Sequence, residues 1–285
     1  MASVTIGLPV YNGAVYLDKA LASLCTQNFQ DLKILIADNA STDETGDIIK
    51  KWAAQDPRIE YHRHAENIGA VANFEWVLHN TDSRYFCFAA HDDLWSPDFI
   101  ASLYEAITKN SSLTLAAPRM ITMFEDGRED NIFPFDEKIK DSASRLSRIR
   151  LSLKKANSGW FYGLFDRMAF ISYFKQVSGF KYAWGHDFII ILPAIFANAV
   201  TGSDKAVYYK TQTPLSEERY RPQAGKDQFI LYQDTLRESF KLLDDSPLSS
   251  WEKKLLFPYV IKYARKIQKF KRMLRAVVKD LFKRG

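Results

Sequence analysis

Cysteine is scarce in this chain: only Cys25 and Cys87 occur among 285 residues. Two are too few for a disulfide framework or a cysteine-based zinc site. Both lie among apolar neighbours, as reduced, packed thiols do. The twelve glycines form neither Gly-x-Gly-x-x-Gly after the first strand nor Gly-x-x-x-x-Gly-Lys-Ser/Thr. That argues against a dinucleotide-binding fold and a P-loop ATPase. No apolar run is long enough to span a bilayer. The longest, residues 188–200, contains Pro193 and Asn198 and reads as a buried helix. The N-terminal MASVTIGLPVYN enters a strand pattern with no basic segment and no long apolar one, so no signal peptide is expected. A reducing, cytoplasmic location follows. Internal repeats and low-complexity tracts are also absent.

What is present is an ordinary globular composition, 47% hydrophobic and 26% charged, with enough Phe, Tyr and Trp for a sizeable core. The net charge of +5 is unevenly placed. Residues 251–285 carry +10, which leaves −5 on the first 250. In that tail Val260, Tyr263, Ile267, Phe270, Leu274, Val277 and Leu281 recur at steps of three and four. They form one apolar stripe on a helix flanked by Lys and Arg. Three roles remain open for it: packing on the parent domain, lying on an anionic membrane surface, or pairing with a second copy in a dimer. Nucleic acid is not expected, because the cations surround an apolar stripe and are not interleaved with stacking aromatics.

Over the first 120 residues strands alternate with helices. Strands are expected at 4–9, 32–37, 59–62, 85–89 and 113–117. Helices are expected at 15–25, 43–54 (Ser41 or Thr42 as cap), 70–79 and 97–108 (Ser96 as cap). This is the pattern of βαβ units on a mostly parallel sheet. Beyond residue 120 the pattern loosens. Residues 125–141 read as a loop, 142–155 as a basic helix and 159–167 as an extended segment re-entering the sheet. Residues 186–197 read as an apolar helix, 207–210 as a short strand and 216–225 as a polar loop.

Parallel sheets bind ligands beyond the carboxyl ends of their strands, and the polar motifs fall there. Asp92 and Asp93 end the fourth strand. Two adjacent carboxylates suit a hard divalent cation that leaves positions open for phosphates; the alternative is a solvated turn. Asp38 ends the second strand. It suits a ligand N–H, such as that of uracil or thymine, or ribose hydroxyls, or else closes an Asx-turn. Tyr11 could stack on a base or simply pack.

The runs VTIGLPVYN, LKILIADNASTDET, ENIGAVANFEWVL and YFCFAAHDDLW together resemble the inverting GT-A glycosyltransferases of family 2, of the bacterial surface-polysaccharide type. GWFYGLFDR and the later YAWGHDF are similar to the acceptor-side half. The resemblance implies a GT-A, Rossmann-like α/β domain over residues 1–215, with the nucleotide-sugar half at 1–120 and the acceptor half at 121–215. A helical basic extension would follow at 216–285. It implies a nucleotide-diphosphate sugar, UDP or dTDP favoured, held with Mn2+ or Mg2+. Pro9, Tyr11 and Asn12 would line the base, Asp38 would bond the pyrimidine, and Asn67 and Asn73 would help hold the nucleoside. Asp92 and Asp93 would sit in the metal motif, with Asp93 the stronger candidate for the metal. Asp187 would be the general base that takes the acceptor proton.

Lys210, Arg219 and Arg221 are candidates for the diphosphate, and Trp160 and Trp184 for a sugar face, with core packing the open alternative for each tryptophan. The acceptor would be a glycan or lipid-linked glycan, reached by a cytoplasmic protein lying peripherally on the inner face of the membrane. The sequence departs from the commoner motif at Ala90, where an Asp is usual, and at His186, where an acid is usual. His186 could be a metal ligand, a partner of the base or a capping residue. Two other classes fit the sequence less well. A sugar nucleotidyltransferase needs a Gly-rich triphosphate loop that LPVYNGAVYL lacks. A non-catalytic scaffold would not need Asp38, Asp92, Asp93 and Asp187 together.

Overall fold

The computed structural model describes residues 2–142, 144–212 and 221–282. The chain folds into two compact units, each assembled from separated segments. The first comprises residues 1–135, 161–171 and 201–212; the second comprises 136–160, 172–200 and 213–285.

The first unit is built on a mixed sheet. Its strands are β1 (Val4–Val10), β2 (Leu32–Asp38), β3 (Ile59–Arg63), β4 (Tyr85–Phe88), β5 (Leu94–Trp95), β6 (Leu115–Phe124), β7 (Glu129–Phe133), β8 (Leu164–Asp166) and β9 (Val200–Gln212). Four helices accompany it: α1 (Ala14–Cys25), α2 (Thr45–Ala53), α3 (Ala70–His79) and α4 (Phe99–Thr108). The strand order is β3-β2-β1-β4-β8-β6-β9-β5, with β7 paired to β6. β1 runs parallel to β2 and β4, and β2 runs parallel to β3. Every residue of β1 is buried, as a strand covered on both faces requires. Gly7 is needed there because α3 lies close: a Cβ would come within 2.3 Å of Val77 and 2.5 Å of Phe86. Ile6, Leu8, Leu17, Leu21, Ile34, Ile36, Phe99 and Leu103 form the centre of the core.

The register decides what meets at one edge. Val10 pairs with Asp38, and Asp38 pairs with Arg63. The strands therefore finish level, and the polar segments after them emerge together.

The second unit is helical: α5 (Lys138–Asp141), α6 (Arg145–Lys155), α8 (His186–Ile189), α9 (Leu192–Phe196), α10 (Gly225–Asp244), α11 (Ser250–Ile267) and α12 (Phe270–Phe282). Helix α7 (Arg167–Gln176) spans residues of both units. Both α11 and α12 pack on α10, and α11 also packs on α6. Helix α11 opens with a capping box between Ser249 and Glu252, which satisfies two otherwise orphaned donors.

The early βαβ pattern matches the expectation; the later segments differ for physical reasons. Residues 125–141 hold β7 and α5. The β7 strand, EDNIF, is exposed along its whole length, so it carries no apolar alternation to betray it. The expected helix at 186–197 is two short helices, because Pro193 lacks the N–H needed to continue a turn and stands instead at the start of α9. The short strand at 207–210 is the core of the thirteen-residue β9. Ser96 does not cap α4. Asp98 holds the N-cap position, and the Ser96 hydroxyl accepts the Val207 N–H at 3.0 Å. The tail stripe is broken at Lys269, where φ is +46°, so the heptad-like pattern runs across an elbow. Val260, Tyr263 and Ile267 are buried while Leu274 is 45% exposed. No helix among the described residues is long and apolar enough to cross a membrane.

Candidate active site

Three loops at the carboxyl edge of the first unit are laced by short hydrogen bonds. The Asn12 N–H donates to Ser41 Oγ at 2.9 Å and the Gly13 N–H to Thr45 Oγ1 at 2.9 Å. In return, the Thr42 N–H donates to Asn12 Oδ1 at 2.8 Å. Asn39 ties in the third loop: it accepts the Ile68 N–H at 2.9 Å and donates to Asn67 Oδ1 at 2.9 Å. Asn12 and Ala40 sit at φ of +50° and +60°, a strained conformation for residues with a Cβ. The network is what holds them there.

Asp38 is fully buried and accepts three bonds. They come from the Ser41 N–H at 2.8 Å, the Tyr61 hydroxyl at 3.0 Å and Arg63 Nη1 at 2.9 Å. Arg63 Nη2 also reaches the Ser41 carbonyl at 2.7 Å. The carboxylate is thus turned into the protein, where it fixes the Asn39–Ser41 turn and leaves Arg63 half-exposed at the edge. Asn73 is buried as well; it donates to the Ala37 carbonyl at 2.9 Å and meets His64 Nε2 at 3.0 Å. Pro9 lies in buried β1. The outward groups are Tyr11, 44% exposed, and the exposed Asn12 and Asn67.

The fourth strand supplies the acidic corner. Asp93 is buried, and its own chain occupies both carboxyl oxygens: the Tyr208 hydroxyl donates to Oδ2, and the Thr211 N–H donates to Oδ1 at 2.8 Å. Burial pushes this carboxyl up to about 7, with the Asp92 charge acting in the same direction; Tyr208, Lys210 and Thr211 oppose the rise. Asp93 therefore clips β9 to the end of β4. This clip also supports the antiparallel pairing of β5 with Tyr208 and Tyr209. Asp92 is only half-buried, and its charge is felt by Tyr16, whose hydroxyl donates to Glu125 at 2.5 Å. The His91 ring lies against Gly13, where a Cβ would come within 2.8 Å of it.

Among the described residues no group of three or more His, Cys, Asp or Glu could hold a metal ion. Mg2+ and similar cations commonly use one or two carboxylates plus substrate phosphates and water. Asp92, at a strand end beside the loop network, fits that smaller role. Asp93 is buried and accepts one hydrogen bond on each carboxyl oxygen, so Asp92 is the more accessible of the two carboxylates.

The other candidates lie in the second unit. Asp187 stands in the first turn of α8, half-buried, with Oδ1 accepting the Phe188 N–H at 3.1 Å. The turn before it depends on Gly185, whose φ is +87° and whose missing Cβ would meet Ile267 at 3.0 Å. Tyr263 braces it from α11, donating to the Phe188 carbonyl at 2.8 Å. His186 sits near Phe174 and Phe180, and burial lowers its pKa. That is the setting of a neutral, packed histidine. Arg221 is buried, bonded to Gln228 and to the Gln268 carbonyl, and lies 5.3 Å from the Trp184 ring. Trp184 is half-buried. Trp160 is 1% exposed; of the two roles open to it in sequence it takes core packing and offers no face to a sugar. Lys210 belongs to β9 in the first unit. Arg219 and residues 216–220 of the expected 216–225 loop lie outside the described residues.

The description "Glycosyl transferase family 2" matches residues 5–176, more than half of the chain and all of the loop network described above. The chain belongs to glycosyl transferase family 2. Among relatives, it is 35% identical over 106 residues to glycosyltransferase GlyA of Streptococcus pneumoniae serotype 4, a match covering 37% of this chain and 15% of that protein. It is 31% identical over 127 residues to the uncharacterized protein Mb1547 of Mycobacterium bovis, covering 44% and 37%. The matches thus span well under half the length of these curated relatives.

Solved structures show the fold over nearly the whole chain. Residues 1–349 of S. aureus TarS in complex with UDP-GlcNAc align with TM-score 0.68 at 15% identity, covering 93% of this chain and 73% of that one. The mannosyltransferase PcManGT from Pyrobaculum calidifontis, in complex with GDP-Man and Mn2+, aligns with TM-score 0.56 at 14% identity, again covering 93% and 73%. The architecture is therefore the GT-A, Rossmann-like α/β fold of this family.

Within that family frame, the sequence pattern did not single out Asn39, Tyr61, Arg63, Tyr208 or Thr211. Asn39 stands directly beside Asp38 in the same motif, which is the signal that could have found it. Arg63 was detectable only by its register opposite Asp38. Tyr208 and Thr211 lie more than a hundred residues from Asp93, and no local signal links them.

Proposed function

We propose that this family 2 member is an inverting glycosyltransferase that moves a sugar from a nucleotide-diphosphate sugar, UDP or dTDP favoured, to a hydroxyl of a glycan or lipid-linked glycan. The observation that carries the reading is the laced carboxyl edge of β1, β2, β3 and β4, with the Tyr11 ring and Asp92 left accessible on it. The likeness to structures holding UDP-GlcNAc and GDP-Man supports the donor class.

Tyr11 gives the base a stacking face, and base–aromatic stacking is worth about 1–3 kcal/mol. Asn12 and Asn67 offer polar contacts to the nucleoside. Asp38 and Asn73 act from beneath, holding the loops at the strained dihedrals the pocket uses. Asp92 would hold Mn2+ or Mg2+ together with the diphosphate, and Asp93 would keep that corner and β9, with Lys210, in place. The metal, when bound, offsets negative charge on the leaving diphosphate. Lys210 adds a cation to the same end, and Arg219 and Arg221 follow in the segment after β9.

Asp187 is the general base. The acceptor hydroxyl oxygen forms a bond to the anomeric carbon as the bond from that carbon to the diphosphate breaks. The hydroxyl proton passes to the Asp187 carboxylate, and the nucleoside diphosphate departs. Attack opposite the leaving group inverts the anomeric centre. Trp184, just before the Gly185 turn, is placed in sequence to meet the acceptor.

Thermal unfolding with UDP, dTDP and GDP, each with and without Mn2+, tests the donor assignment. A ligand that binds the folded state raises Tm by mass action. The expected result is a metal-dependent rise with one of the first two, lost in Asp92→Asn. No rise with any nucleotide in folded protein with metal present would remove the donor site.

A further inference from the structure

The C-terminal helices carry a surface that the transfer reaction leaves unused. Residues 251–285 contain twelve Lys and Arg but only two carboxylates, Glu252 and Asp280. Both are turned inward. Glu252 accepts the Ser249 N–H and hydroxyl at 2.8 and 2.7 Å. Asp280 accepts the Gly225 N–H at 2.6 Å, at the start of α10. What remains outward is cationic.

At the elbow between α11 and α12 a groove of about 640 Å³ is lined by Lys262, Arg265, Lys269, Lys271, Arg272 and Arg275, with Phe270 among them. Lys262, Arg265, Lys271 and Arg275 form no ion pair with any carboxylate among the described residues. The same outward face continues along α12. Lys271, Leu274, Arg275 and Val278 recur at helical spacing and are all exposed, the two aliphatics at 45% and 49%. The opposite side of α12 is anchored by fully buried Met273 in a small core with Tyr232 and Ala264. The helix is therefore held by one side and offers cations and aliphatics together on the other.

Three partners could meet such a face, and the chemistry separates them. A second copy would set like charges against each other. A nucleic acid would need accessible stacking rings, but Phe270 is half-buried with Arg265 lying 4.9 Å from its centre. An anionic bilayer takes both features at once, because cations meet headgroup phosphates while apolar side chains enter the acyl boundary. We propose that the outward face of α12 and the α11–α12 elbow form a docking surface for an anionic phospholipid bilayer, with Leu274 and Val278 entering it.

The test is flotation of the whole chain with vesicles of phosphatidylcholine alone and of equimolar phosphatidylcholine and phosphatidylglycerol, at low and high salt. Binding is expected only to the anionic vesicles and is expected to weaken with salt. The double variant Lys271→Gln, Arg275→Gln should lower the partition constant about thirty-fold. Leu274→Ser with Val278→Ser should lower it by a separate, salt-insensitive factor. All four side chains are exposed, so unchanged melting temperatures are expected and confirm folded protein. Equal binding to neutral vesicles, or binding indifferent to both variant pairs, would overturn the proposal. So would failure to float alongside dimerisation or RNA binding that the cation variants abolish. Flotation needs neither donor nor acceptor, so its failure and that of the transferase reading are separately visible.

Discussion

Replacing Asp38 separates a residue that touches the base from one that shapes its pocket. In Asp38→Ala three donors lose their acceptor: the Ser41 N–H, the Tyr61 hydroxyl and Arg63. Leaving a buried donor unsatisfied costs about 1–3 kcal/mol, and the Ser41 N–H is in a buried turn. Tyr61 is half-buried and contributes about 1 kcal/mol. Arg63 is 47% exposed at its side chain, so it rehydrates when its partner is lost. The total is about 2–4 kcal/mol. At roughly 2–4 °C per kcal/mol for a protein of this size class, Tm should fall on the order of 4–16 °C. The assay is thermal unfolding of nucleotide-free protein, followed by calorimetric titration with UDP below the new transition. Affinity should fall too, because the Asn39–Ser41 turn loses its anchor. A variant with unchanged Tm and a selective loss of UDP affinity would refute the argument and return Asp38 to direct contact with the pyrimidine.

Two further outcomes follow from buried groups. The folded Asp93 carboxyl titrates at about 7, against about 4 in an unfolded chain, so metal-free native protein holds a proton that the unfolded chain has released. Its contribution to stability is complete below about pH 4 and is lost as pH rises through about 7. Unfolding curves across that range should show the decline, and Asp93→Asn should flatten it. Trp160→Ala should cost about 3–5 kcal/mol in denaturant unfolding, as core truncation does, and should act on stability instead of on acceptor KM.

The first four strands and their helices were legible because β1 and β2 are buried on both faces and read as apolar runs bounded by polar turns. The carboxyl-edge motifs were legible for the same reason: they begin where those runs end. The role of each acid was not. Asp38 and Asp93 look like free carboxylates in sequence, yet each accepts hydrogen bonds from partners supplied through register or through a distant strand, Arg63 in one case and Tyr208 in the other. The tail shows the converse. Its stripe was continuous in sequence, but one left-handed residue, Lys269, divides it, so part of the stripe packs on α10 and part is left outward. Trp160 stands open between core and sugar face in sequence, because an aromatic between Gly159 and Phe161 carries no periodicity to decide it.

The most direct test of the central claim is Asp187→Asn, assayed for transfer from a UDP-sugar alongside UDP affinity and Tm. Asp187 is half-buried, and an amide oxygen can keep the bond from the adjacent Phe188 N–H, so folding and UDP binding should be retained. Removing the base should lower kcat by about 10²–10⁴-fold with little change in donor KM. Full activity in that variant would contradict the assignment of the base and, with it, the proposed mechanism.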